Sequence, residues 1–144
     1  MTTPPDPPAH RQTARAVVVH EGRLLVIMRR RQGVHYAVLP GGAIEAGESG
    51  AEACVRELWE ETGLHGKVRQ RLHDSGTDDV TYFELVASGI PTLGYPERDR
   101  LSAMNVYAPC WVSLDEISRI GLVPATALEA VRAAIEMQAA AGSP

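Results

Sequence analysis

Glu57, Glu60 and Glu61 stand at i, i+3 and i+4, so on a helix their carboxylates share one face. Like charges at these spacings repel by a few tenths of a kcal/mol, roughly, for each exposed pair. The three also fall near the end of the segment, where the helix dipole disfavours negative charge. Two local rules are broken together, and a compensating cation explains both. Hard carboxylate oxygens select Mg²⁺, Mn²⁺ or Ca²⁺ over softer metals. Mg²⁺ takes few carboxylates and leaves positions for water and substrate phosphate, so the chemistry expected is metal-assisted work on phosphate.

The surrounding residues keep a fixed schedule from Gly42 to Leu64, with Glu48 and Arg56 ahead of Glu57. Ser49 followed by Glu52 forms a capping box, and Gly63 suits the left-handed position beyond a helix end. These signals predict a helix over 50–62. Ala51, Val55, Leu58 and Thr62 are expected on its packing face, opposite the acidic one. Arg56 borders the acidic face, and Ala53 lies beneath it.

This stretch resembles the Nudix box, Gly-x5-Glu-x7-Arg-Glu-U-x-Glu-Glu-x-Gly-U, where U is a bulky aliphatic residue. Gly42, Glu48, Arg56, Glu57, Leu58, Glu60, Glu61, Gly63 and Leu64 fill every specified position. Leu39-Pro40-Gly41 is similar to the usual lead-in. The resemblance implies an α/β fold, an α/β/α sandwich with a mixed β-sheet. It implies Mg²⁺-dependent hydrolysis (Mn²⁺ substituting) of a diphosphate linked to another group, usually a nucleoside. Glu57, Glu60, Glu61 and the Gly41 carbonyl would be metal ligands. Gly42 and Glu48 would support them, and Arg56 would anchor the loop against the helix rather than touch substrate. A carboxylate would take the proton from water, from Glu60, Glu61 or a later loop, where Glu97 is the first candidate and Asp99 the second. An arginine near the end of an early strand would contact substrate, here Arg29 or Arg30. A homodimer is also implied. Members acting on ADP-ribose tend to carry a proline about fifteen residues after the box, and none stands there, which lowers that substrate. A non-catalytic nucleotide or nucleotide-sugar sensor on the same scaffold is the competing class, but sensing alone would not need the complete glutamate set. An isoprenoid diphosphate isomerase finds no support in these residues.

The rest of the chain is read for the elements that must hold this segment. With 144 residues, one domain is expected over 13–140, after a Pro-rich disordered leader at 1–12 and before a loose tail at 141–144. The net charge of −4 argues against a nucleic-acid polymer as partner but not against small nucleotides. No apolar run is long enough for a membrane span, and two cysteines point to reduced thiols and a cytoplasmic setting. Cys54 reads as a small buried side chain of the helix, and Cys110 falls in an expected strand. Residues 13–20 and 23–30 read as strands of a hairpin turning at Glu21-Gly22, followed by 36–39, 66–73, 80–88 and 106–112. A short helix is expected over 115–120 and a longer one over 126–138, packed through Ala127, Ala130, Val131, Ala134 and Ile135. Tyr82, Tyr107 and Trp111 could stack a base and Asn105 could bond its edge, while His35 and His73 read as surface residues.

Overall fold

The computed structural model describes residues 12–72, 79–92 and 105–142. Within them lie eight strands and two α-helices: β1 Thr13–Val17, β2 Val19–His20, β3 Arg23–Arg31, β4 Val34–Val38, β5 Gly41–Ala43, α1 Gly50–Thr62, β6 Lys67–Arg71, β7 Val80–Val86, β8 Asn105–Ser113 and α2 Ala125–Ala141. A 3-10 helix, Leu114–Arg119, joins β8 towards α2.

The strands form two sheets. One runs β5-β1-β7-β6, mixed because β1 and β7 are parallel while the outer pairs are antiparallel. In the other, β3 pairs along its full length with β8, and with β2 and β4 on its remaining edge. The expected hairpin over 13–30 is thus only partly formed. The chain changes sheets at Val18, so only the two residues of β2 turn back on β3 through Glu21-Gly22. Gln32-Gly33, both at positive φ, make a second tight turn that delivers β4, a strand starting two residues earlier than the sequence predicts.

Each helix covers one face of the strands, giving the expected α/β/α layering. Ala53, Cys54 and Leu58 of α1 pack on Ala14, Ala16, Val18, Leu25 and Leu85. On the other side Ala127, Ala130, Val131 and Ala134 of α2 pack on Val17, Leu24, Val26, Leu39 and Tyr82. α2 continues to Ala141, three residues past its expected end. Tyr82 Oη lies 2.6 Å from Thr126 Oγ1, and buried Glu84 accepts from Gln138 Nε2 at 3.0 Å, so β7 holds α2 at two points. No helix among the described residues is long and apolar enough to cross a membrane.

Candidate active site

α1 begins and ends where local chemistry dictates. Ser49 Oγ accepts from the Glu52 N–H and Glu52 returns a bond to the Ser49 N–H, completing the capping box. Gly63, at φ 71°, closes the other end by donating to Trp59 O at 2.8 Å. The buried face differs from expectation. It is built on Ala53, Cys54, Leu58 and Thr62, while Ala51 is only half-buried and Val55 is exposed. That rotates Glu57 and Glu61 towards the β4–β5 segment, and the Glu57 side chain keeps only 16% of its exposure. The acidic residues therefore form the wall of a pocket of about 390 Å³, together with Arg15, Ile27, Arg29, Val38, Gly41, Gly42 and Tyr107.

Arg56 is the hub of this wall. Its Nε and Nη2 fork onto Glu48 at 2.7 and 3.0 Å, and Nη2 also reaches Ala43 O at 3.1 Å. Nη1 donates to Glu57 at 2.9 Å and to Glu60 at 3.2 Å. All five guanidinium N–H groups are thereby engaged, and the side chain fastens β5 to α1. The Arg56 bonds, reinforced by the Glu45 N–H, hold the Glu48 carboxyl down at about 2. Arg56 itself is shifted upward, mainly by Glu48. Part of the cation that the glutamate spacing calls for is thus supplied within the chain.

Glycines set the opposite rim. Gly41, at φ 152°, gives its N–H to Glu61 Oε1 at 2.7 Å, and a Cβ there would collide with the Ala14 carbonyl. A Cβ at Gly42 would lie 2.7 Å from Glu57 Oε1, so this glycine leaves the room that Glu57 occupies. Glu57, Glu60, Glu61 and Gly41 supply only oxygen donors to one pocket, a set that fits a hard divalent cation. Among the described residues no three His, Cys, Asp or Glu side chains stand together as a ligating cluster. Arg56 draws Glu57 and Glu60 to itself, and the Gly41 N–H draws Glu61.

The third wall comes from β3 and its neighbours. Side chains alternate along a strand, so Leu25, Ile27 and Arg29 share one face and Arg30 points away and is exposed. This separates the two arginine candidates: Arg29 lines the pocket, and Arg30 pairs in register with His35 outside it. Arg29 stands between Tyr36 and Tyr107, its cross-strand partners, with its Cζ 5.6 and 4.3 Å from their ring centroids. Nη2 donates to Tyr107 Oη at 2.7 Å. Arg29 Nε is the one buried side-chain N or O atom without a hydrogen-bond partner among the described residues.

The remaining candidates divide. Tyr107 is in the pocket. Trp111 shares its face but sits four residues along β8, about 13 Å at strand spacing, where its Nε1 donates to Gly89 O at 2.8 Å. Tyr82 is fully buried under α2 and belongs to the core rather than to a base-stacking surface. His35 is exposed on β4, and the Cys54 thiol is buried and pushed up to about 12, which leaves it inert. Glu97, Asp99, His73 and the Asn105 side chain lie outside the described residues. Sequence reading missed Arg15 and Tyr36. The signal for Arg15 was a lone charge set between two alanines of an otherwise apolar strand.

The family model described as NUDIX domain matches residues 9–133. The chain belongs to the Nudix family. A MutT-like protein of Streptomyces ambofaciens is 44% identical over 119 residues, 78% of this chain and 70% of that protein. Phosphatase NudJ of Escherichia coli K12 is 41% identical over 71 residues, 47% of this chain, which spans only 46% of NudJ in that match. The crystal structure of a MutT NUDIX hydrolase from Burkholderia pseudomallei superposes with a TM-score of 0.61 at 28% identity, covering 84% of this chain and 97% of the other. The chain is a Nudix hydrolase, an enzyme class that acts on phosphoanhydride bonds of small nucleotide-type substrates. The mixed sheet with helices on both faces is the Nudix architecture.

Proposed function

We propose that this Nudix hydrolase cleaves the diphosphate linkage of a nucleoside diphosphate derivative or of a nucleoside triphosphate, canonical or oxidised, by attack of water on phosphorus. The observation that carries this reading is that one pocket is lined both by Glu57, Glu60, Glu61 and Gly41, which offer oxygen ligands, and by the guanidinium-bearing Arg29. Arg29 lines the pocket, and the planar fork of a guanidinium suits a phosphate oxygen.

Glu57, Glu60, Glu61 and the Gly41 carbonyl would hold Mg²⁺ or Mn²⁺. Bound there, it would supply positive charge to the phosphate oxygens and to the attacking water. The residues of the chain do the rest. Arg29 orients the phosphate, steadied by Tyr107. Arg56 keeps Glu48, β5 and the acidic end of α1 in one frame. Glu60 or Glu61 takes the proton from water, with Glu97 a further proton acceptor. Tyr107, Ile27 and Val38 offer a flat, partly apolar wall for the group beyond the diphosphate.

The test is release of phosphate and pyrophosphate across a panel of nucleoside triphosphates, their oxidised forms, nucleoside diphosphates, sugar nucleotides, ADP-ribose and dinucleoside polyphosphates, with Mg²⁺ or with EDTA. Turnover of one class that EDTA abolishes supports the reading. Turnover insensitive to EDTA, or none across the panel in folded protein, counts against it.

A further inference from the structure

Arg15 stands on β1 directly across from Gly41. Its Nη1 donates to the carbonyl oxygens of Leu39 and Gly41, both at 3.1 Å. The residue at 41 is therefore held from two sides, its N–H by Glu61 at 2.7 Å and its carbonyl by Arg15. A Cβ at 41 would strike the Ala14 carbonyl and come within 2.8 Å of Arg15 Cδ, so glycine lets β1 and its arginine close on this residue. The guanidinium spends these bonds on neutral carbonyls although the carboxylates of Glu57, Glu60 and Glu61 line the same pocket.

Resting on the reading of the Gly41 carbonyl as a metal ligand, we propose that Arg15 is a positioning residue that competes with the divalent cation for this carbonyl and thereby sets the metal affinity. An arginine stays charged at any working pH, so it cannot relieve the conflict by losing a proton. A divalent ion and a guanidinium on one oxygen would sit a few ångströms apart, where like charges repel strongly even near a protein surface. The guanidinium must move aside or the ion must bind more weakly. Either way, removing the charge tightens metal binding. A phosphate-bearing substrate offsets the same positive charge, so metal and substrate each strengthen the other's binding, reciprocally.

The first test titrates Mn²⁺ alone into the full chain and reads free Mn²⁺ by electron paramagnetic resonance. Arg15→Gln keeps an amide that can bond a carbonyl but carries no charge, and it is expected to bind Mn²⁺ at least about tenfold more tightly than the parent. Arg15→Lys keeps the charge and is expected to fall short of that gain. Equal or weaker binding by Arg15→Gln overturns the role of Arg15 while leaving the metal site in place. No Mn²⁺ binding by either protein overturns the metal reading and this one with it. The second test needs no variant: a crystal of the parent chain soaked in Mn²⁺, with the ion located by anomalous scattering. The Arg15–Gly41 contact is expected to open beyond hydrogen-bonding reach, about 3.5 Å. An ion on the Gly41 carbonyl with that bond intact overturns the proposal, and an ion bound elsewhere overturns both readings.

Discussion

Glu61 accepts the Gly41 N–H at 2.7 Å, and a glutamine in its place would still present an amide oxygen to that donor. Glu61→Gln therefore removes a charge without removing the bond that shapes the loop. We expect turnover to drop by about 10²-fold or more, the scale at which a preorganised electrostatic group counts in catalysis, while the melting temperature stays near the parent value. Near-normal turnover would take Glu61 out of the reaction. Glu48 gives a different prediction, because its carboxyl sits at about 2 against an ordinary 4.5. The folded value lies below the unfolded one, so the stabilisation is complete above about pH 4.5 and is lost as pH falls towards 2. Glu48→Gln is expected to melt earlier than the parent near neutral pH, with the gap narrowing on acidification through that window. A gap that stays constant from about pH 6 down to about pH 2.5 would assign the loss to shape rather than charge.

Gly42 shows how one element makes room for another. Glu57 Oε1 occupies the place where a Cβ at 42 would project, 2.7 Å away, so Gly42→Ala must displace the carboxylate or shift β5. Mn²⁺ affinity and turnover are expected to fall together by about tenfold or more, with far-ultraviolet circular dichroism unchanged. Retained Mn²⁺ affinity would show that Glu57 is not among the ligands. The frame around this contact was unevenly legible in the sequence. α1 could be read to its first and last residue because its stop and start signals, Ser49, Glu52 and Gly63, act within a turn of the residues they cap. Its buried face was misjudged because Cys54 and Ala53 face the strands, and only the position of β1 decides which stripe is covered. The same holds for Val18, where the apolar run continues although the chain passes from one sheet to the other. β5 was invisible as a strand: its Gly-Gly-Ala sequence has no strand preference, and it exists by pairing with β1 some thirty residues away. Arg15 escaped for that reason too, since its role depends on a carbonyl delivered by this long-range pairing. Arg29, in contrast, could be singled out from sequence, and strand alternation then separates it from Arg30.

The two helices divide the labour of the fold. α1 carries the acidic wall on the side of Leu25 and Leu85, whereas α2 closes the opposite face through small side chains and two polar ties to β7. This arrangement predicts that stability can be changed from the α2 side without touching the chemistry. Tyr82 is the sharpest probe, because the reading that it stacks a base and the reading that it clamps α2 give opposite results. Its hydroxyl lies 2.6 Å from Thr126 Oγ1, and the residue is fully buried. Tyr82→Phe keeps the ring and removes that bond, leaving the Thr126 hydroxyl to find water. The expected cost is about 1 kcal/mol, a fall in melting temperature of about 3 °C for a chain of this size. kcat and KM, measured on whichever nucleotide the panel identifies, should match the parent, because Arg29, Gly41 and the glutamates of α1 belong to the pocket and Tyr82 does not. A raised KM with an unchanged melting temperature would return Tyr82 to the substrate site and would mean that the pocket reaches through the sheet to the α2 side.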